Sequence, residues 1–369
     1  MLDGYDLLIP GPTQLHPDVL AEMARPMVPH YGADWTAYYS ETIEHLRRIF
    51  GTSGPIFAIP GSGSAGLDAV IGSAIGPNDR LLVLSNGFFG ERIAEIAGSH
   101  HSSTVIQRLP IDRPLQVDDL EAALTRVGGI TAVMVVHSES SSGLLNPIKD
   151  LGRVCQDRDL LFIVDAISSL GGIELSMQTM HIDVCISASQ KCLEGPPGLG
   201  LVAVAPAAWD RIKEHKTRGW YLNLRTWQQY AEDWADWHPY PITMAVPAFR
   251  ALRVGLERVL QEGLEARWKR HGDMSAWIVD QTKSLGCSPV FPPEQASPTV
   301  VALRPPESLN VHELIASLRE KHGILVAGGM GEYKGVAFRI GNMGMQATQD
   351  CMRPLIEALG SEIICGRSL

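Results

Sequence analysis

Basic side chains are in the minority: 31 Lys and Arg stand against 41 Asp and Glu, a formal net charge of −10 over 369 residues. A nucleic-acid backbone needs clustered cations, so this balance argues against that partner, while leaving room for a local site that takes a small anion. Cysteine is scarce as well. The six residues Cys155, Cys185, Cys192, Cys287, Cys351 and Cys365 are scattered, with no CxxC pair and no metal-like spacing. Several stand in apolar runs, where a reduced thiol behaves as a small core residue, so a reducing compartment, the cytoplasm, and no metal are expected. No apolar run approaches the ~18 residues of a membrane span. The opening MLDGYDLLIPGPT lacks the basic stretch and apolar core of a secretory leader, and the final Arg367-Ser368-Leu369 lacks the basic middle residue of a peroxisomal signal. Repeats and low-complexity tracts are absent too.

What is present is an ordinary globular composition, 45% hydrophobic and 20% charged, on a chain long enough for two cores. Pro10-Gly11-Pro12-Thr13 cannot be helix or central strand, so residues 1–15 read as an extended arm lying over the body or over a partner subunit. Residues 17–50 read as two helical pieces broken near 26–30, the second carrying Tyr39, Ile43, Leu46 and Ile49 at helical spacing. Strands are expected at 54–60, 80–84, 104–109, 131–136, 160–164, 184–186 and 199–205, with helices at 117–127 and 148–157 among them. One long helix over 247–285 is predicted to link this part to a smaller unit with strands at 299–303, 324–327 and 336–340, a helix at 311–322 and a terminal helix. The reading is an α/β fold with a mostly parallel sheet in a large domain, 16–262, and a smaller α+β domain, 263–369.

The chain is organised around 160–191. Two short apolar runs there read as neighbouring buried strands, the first ending in Asp165 and the second passing through small residues into Gln190 and Lys191. Open sheets of this kind bind ligands beyond the carboxyl ends of their strands. Pyridoxal phosphate needs such a pair: an amine for its aldehyde, and an acid to keep its pyridine nitrogen protonated. An aspartate that closes a strand is more often a turn residue, and a lysine after polar residues more often solvated, so the pair alone does not decide.

Gly61-Ser62-Gly63-Ser64-Ala65-Gly66, between a strand and a helix, matches the dinucleotide fingerprint and raises a nicotinamide dehydrogenase as a rival. The next strand ends in Ser85-Asn86-Gly87 with no acid for a ribose hydroxyl. What the loop retains is glycine-exposed N–H groups, two serines and a helix N-terminus, a setting for a single phosphate. Phe89 in Asn86-Gly87-Phe88-Phe89-Gly90 can stack on a flat ring or pack in the core. The run His137-Ser138-Glu139-Ser140-Ser141-Ser142-Gly143 reads as a polar, flexible lip. The aromatic-rich segment 206–245 reads as an interface, a site wall or a core-facing loop. Arg339 is a lone cation in an apolar strand, to be paired by an internal acid or by a substrate carboxylate.

Taken together, Gly11-Pro12-Thr13, Gly61-Ser62-Gly63-Ser64, Asn86-Gly87-Phe88-Phe89-Gly90, His137 to Gly143, Val164-Asp165-Ala166, Ser189-Gln190-Lys191 with Pro196-Pro197-Gly198, and Arg339-Ile340-Gly341 carry a resemblance. In order and spacing they resemble the class V aminotransferases among the fold-type I pyridoxal-phosphate enzymes, nearest the alanine–glyoxylate and serine–pyruvate or serine–glyoxylate group. The 2-aminoethylphosphonate–pyruvate transaminases are cousins. The resemblance implies that Lys191 bonds the cofactor aldehyde and that Asp165 partners the pyridine nitrogen. It implies Ser62, Gly63, Ser64 and Gln190 around the phosphate, Ser140 near the ring, and Phe89 where this group commonly has tryptophan. Tyr240 and Thr243 match positions that reach a neighbouring subunit's phosphate, which implies a homodimer with shared sites. Arg339 is implied to hold the substrate α-carboxylate. The stretch His30-Tyr31-Gly32-Ala33-Asp34-Trp35 matches no known substrate pattern. A lyase of the cysteine desulfurase kind needs a nucleophilic cysteine on a mobile loop; Cys192 adjoins the lysine, and Cys351 and Cys365 lie in a helical context.

Overall fold

Seven short apolar runs become one sheet: β1 (Ile56–Pro60), β2 (Leu81–Ser85), β3 (Val105–Arg108), β4 (Ala132–Val136), β5 (Leu161–Asp165), β6 (Val184–Ala188) and β7 (Leu199–Val204). Their order is β1-β7-β6-β5-β4-β2-β3, with β7 antiparallel to both neighbours and every other pairing parallel. Strands β2 and β4 to β7 are buried along their whole length, as parallel strands covered on both faces must be. The order also disposes of the dinucleotide reading. In that fold the fingerprint strand pairs with the next strand; here β1 is an edge, separated from β2 by four others. The computed structural model describes residues 4–101, 103–215 and 219–366, so the terminal tripeptide 367–369 lies outside the described residues.

A second core, including Leu8, Met274, Ile278, Leu303, Leu318, Phe338 and Leu355, lies under a four-stranded antiparallel sheet. That sheet runs Ser288–Pro289, Val300–Arg304, Phe338–Gly341, Ala327–Gly328. The N-terminal arm belongs to this same chain's surface: Asp6–Leu7 pairs in parallel with Ile324–Leu325, and Leu8 enters the second core. Beyond it, the Thr13 N–H donates to the Gln190 carbonyl at 3.1 Å. The arm thus runs from the small sheet to the turn that carries Lys191.

Two expectations are corrected. The long helix is two, Val246–Glu262 and Leu264–Ser284, because Gly263 at φ 85° ends the first with its N–H on the Val259 carbonyl. The strand expected at 324–327 splits, Ile324–Leu325 pairing with the arm and Ala327–Gly328 joining the small sheet. Residues after Gly87 form a helix, Phe88–His100, which buries Ile93, Ala94 and Ala97 at helical spacing. In the aromatic segment no single reading applies: Trp227 and Tyr240 are core residues, while Trp220 and Trp237 stand half exposed.

Candidate active site

Asp165 is the last residue of β5, and its carboxylate accepts the Ile167 N–H at 2.9 Å. Burial pushes the carboxyl up to about 7. The Ile167 hydrogen bond and the Lys191 charge oppose that rise, and Glu139 adds to it. One strand over, β6 ends at Ala188 and the chain turns through Ser189 and Gln190 into Lys191. The turn is held by the Ser189 hydroxyl on the Pro196 carbonyl at 2.5 Å and by the Glu194 N–H on the Lys191 carbonyl at 3.0 Å. The Lys191 ammonium donates to the Pro10 carbonyl, and burial pulls its pKa down to about 8. An amine so placed holds a sizeable neutral fraction near neutral pH, as a general base requires. Gly11 lies flat on the lysine stem: a β-carbon there would stand 2.6 Å from Lys191 Cδ and Cε.

Asp165 and Lys191 face one cavity of about 260 Å³. Ser62, Gly63 and Ser64 line it, with Gln190, Phe89 and Ser140 also in the wall. Ser62 is the N-cap of the helix Gly63–Ala74 but makes no side-chain capping bond, so that helix's N-terminus faces the cavity without a carboxylate or hydroxyl on it. Gly63 has no room for a side chain, since a β-carbon would stand 2.5 Å from Ile167 Cδ1. The Gln190 side-chain oxygen is buried without a hydrogen-bond partner, which a native interior tolerates where a ligand completes it. A helix N-terminus with serines, an aromatic side chain, an acid and an amine lining one cavity suit a flat ring bearing one phosphate.

Arg339 lies outside that cavity wall but touches it. Its Nε donates to the Gly328 carbonyl at 2.8 Å and its Nη1 to the Ser140 carbonyl at 2.5 Å. No Asp or Glu of the described residues forms an ion pair with it, and burial lowers its pKa to about 10, against the pull of Glu139. A buried guanidinium held by carbonyls alone has unspent capacity for a carboxylate.

Tyr240 and Thr243 are not brought to this cavity. The Tyr240 ring is fully buried; its hydroxyl receives the Trp35 Nε1–H at 2.5 Å and donates to the His30 carbonyl at 2.5 Å. Its hydroxyl is thus engaged within its own subunit, whereas Thr243 is exposed. The expected flexible lip, 137–143, is instead buried and tied. Ser138 Oγ meets Ser297 Oγ at 2.7 Å, His137 Nδ1 meets Ser169 Oγ at 2.9 Å, and Ser138–Glu139 pairs with Leu144–Leu145. Nor does Cys192 suit a nucleophile, because burial pushes its thiol up to about 12. Burial likewise raises Cys155, Cys185 and Cys287.

Sequence reasoning did not single out Arg92, Ser138, Ile167 or Ser168, which also line the cavity. Arg92 was findable: it stands one helical turn after Phe89, on the same face.

Residues 10–339 match the aminotransferase class-V family. An uncharacterised aminotransferase of Methanocaldococcus jannaschii is 37% identical over 97% of this chain and 94% of its own length. The alanine–glyoxylate aminotransferase of Callithrix jacchus is 31% identical over 96% of this chain and 86% of its own. The crystal structure of an alanine–glyoxylate aminotransferase from Nostoc sp. superposes with a TM-score of 0.92 at 28% identity, covering 99% of this chain and 96% of that one. The fold is that of the fold-type I enzymes, and the chain belongs to the class-V aminotransferases.

Proposed function

We propose that the protein is a pyridoxal-phosphate transaminase that moves an amino group from a small, alanine- or serine-like amino acid to a 2-oxo acid such as glyoxylate or pyruvate. The observation that carries this reading is that the Lys191 amine and the Asp165 carboxylate, from adjacent parallel strands, line one cavity together with an uncapped helix N-terminus at Ser62–Ser64. The names of the relatives support the class of substrate.

When bound, pyridoxal phosphate supplies an electron-withdrawing ring that delocalises the charge left on the substrate's α-carbon. This chain does the rest. Asp165, buried and able to hold a charge against a ring nitrogen, keeps that nitrogen protonated. Ser62, Gly63 and Ser64 bind the phosphate through the helix N-terminus and their own donors, with Gln190 beside them. Phe89, in the cavity wall, would offer the ring an aromatic surface. Arg339 grips the α-carboxylate and so fixes which substituent of the α-carbon faces Lys191. Lys191 Nζ would be the base that takes the donor's α-proton and, in the acceptor's turn, the acid that delivers a proton to the acceptor's α-carbon. Amino donor and oxo acceptor use the site in turn, which makes the kinetics ping-pong. The assembly that fits is a homodimer with shared sites, Thr243 being the exposed residue available to a neighbour's phosphate. Action in the cytoplasm is part of the same proposal; among the described residues no helix is long and apolar enough to cross a membrane.

The test is a panel of alanine, serine and 2-aminoethylphosphonate against glyoxylate and pyruvate, followed by the cofactor's absorbance. Transfer from the small α-amino acids is expected. A Lys191→Ala protein with full turnover would overturn the reading.

A further inference from the structure

Glu139 is a carboxylate with no exposed surface that the chemistry above does not use. It is fully occupied. Oε2 accepts the N–H groups of Phe89 at 3.0 Å and Gly90 at 3.2 Å, and Oε1 accepts the Ser141 N–H at 3.1 Å and its hydroxyl at 2.5 Å. Phe89 and Gly90 belong to the first turn of the helix Phe88–His100, so the carboxylate sits on two of that turn's free donors. Burial raises the Glu139 carboxyl, and these hydrogen bonds oppose the rise.

Room for this contact is made by Gly87. Its φ of 174° is extended backbone that any residue adopts, so conformation does not demand glycine. Space does: a β-carbon at Gly87 would stand 2.5 Å from Glu139 Cδ and 2.8 Å from Oε2. The helix so anchored presents Phe89 and Arg92 to the cavity, with the Arg92 guanidinium 5.3 Å from the Phe89 ring centroid. Glu139 itself is not in the cavity wall.

We propose that Glu139 is a positioning residue: by clamping the first turn of the helix Phe88–His100, with Gly87 leaving it space, it fixes the Phe89 ring in the cavity wall, where it would meet the cofactor. The inference rests on the pyridoxal-phosphate reading for what Phe89 stacks on. Glu139 acts through Phe89 and touches neither cofactor nor substrate.

The experiment compares holoprotein of the wild type, Glu139→Gln, Glu139→Ala and Gly87→Ala by visible circular dichroism of the cofactor band and by kcat. In Glu139→Ala the dichroic band is expected to collapse, although the cofactor still binds, and kcat to fall roughly 100-fold, the scale of an ångström of misplacement. Glu139→Gln keeps an oxygen for the Phe89 and Gly90 donors and is expected to recover most of both. Gly87→Ala, which displaces the carboxylate from the other side, is expected to copy Glu139→Ala and serves in its place should that variant not fold. An unchanged dichroic band and kcat in Glu139→Ala, or a Glu139→Gln protein as damaged as Glu139→Ala, would overturn the proposal. Hydrogen exchange at the Phe89 and Gly90 amides reads the clamp without cofactor. It is expected to be slow in the wild type and fast in Glu139→Ala, and equal rates would also overturn it. Wild-type protein that takes up no pyridoxal phosphate would instead sink the functional reading, and is seen before any variant is made.

Discussion

Arg267 and Glu194 form an ion pair of 2.7 Å in which each side chain is only 2% exposed. Arg267 stands just after the helix break at Gly263, and Glu194 lies in the turn that follows Lys191, at a strained φ of 60°. The guanidinium also donates to the Cys192 carbonyl at 2.8 Å, the Gly171 carbonyl at 2.9 Å and Glu262 at 2.7 Å. It therefore pins the lysine turn from behind. Without Arg267 the buried Glu194 would keep only its 3.2 Å contact with the Arg258 Nε, a poorly compensated charge, whereas replacing both partners is far cheaper. Arg267→Met is expected to lower stability by about 3–5 kcal/mol. Arg267→Met with Glu194→Leu is expected to regain part of it, as read from urea denaturation midpoints.

That strut was not legible in the sequence, and the reason is general. The strands ending in Asp165 and leading to Lys191 were legible because each is a short apolar run that stops at a polar residue, a local pattern. The Pro10-Gly11-Pro12 arm was legible because proline excludes regular structure. Arg267, Glu139 and the inward turn of Tyr240 depend on which side chains meet across scores of residues, and no local period carries that. Even the nearer failure, at Gly263, was a matter of a single backbone angle. Glycine is tolerated inside a helical pattern, so the apolar spacing on either side hid the break.

Gly11 tests how tightly the arm seats the catalytic amine. At φ 102° a side chain is strained, and its β-carbon would overlap the Lys191 stem. Gly11→Ala is expected to reduce kcat roughly 100-fold by displacing the amine, with little loss of cofactor. Single-turnover rates on the loaded protein check this, and an unaltered rate would show that the arm yields instead of the lysine.

Tyr240 and Thr243 separate a core role from a shared-site role. Tyr240→Phe removes a hydroxyl bonded on both sides within its own subunit. It is expected to lower stability by about 1–3 kcal/mol and to leave cofactor affinity near the wild-type value. Thr243→Ala is expected to do the reverse, weakening cofactor binding with stability unchanged. Thermal unfolding paired with cofactor titration distinguishes the two.

Arg339 has capacity for a carboxylate that no acid of the described residues takes up. Arg339→Gln is expected to reduce kcat/KM for alanine by about 2–5 kcal/mol, the range for a buried charge pair losing one member. Stability is expected to change little, because the amide can still donate to a carbonyl. A donor without an α-carboxylate, 2-aminoethylphosphonate, is expected to lose less, which steady-state kinetics with both donors would resolve.

The pH dependence of stability follows from Asp165 and Lys191 with opposite signs. Folded Asp165 titrates at about 7, while an unfolded aspartate titrates near ~3.9. Between those values the folded chain holds a proton that the unfolded chain has released, so stability falls as pH rises from about 4 through 7. Folded Lys191 titrates at about 8 against ~10.4 unfolded. Between those values the unfolded chain holds the extra proton, and stability rises with pH. Cofactor-free Asp165→Asn is therefore expected to show a shallower acid-side slope, the buried Glu139 and Asp183 carboxyls supplying the rest, and to keep the alkaline one. A protonated ring nitrogen beside Asp165 favours the carboxylate and works against burial, so the loaded wild-type protein is expected to show a weaker acid-side slope than the cofactor-free form. Urea denaturation from pH 5 to pH 10, with and without pyridoxal phosphate, measures both slopes. Equal acid-side slopes in cofactor-free wild type and Asp165→Asn would mean that another carboxyl group carries the titration.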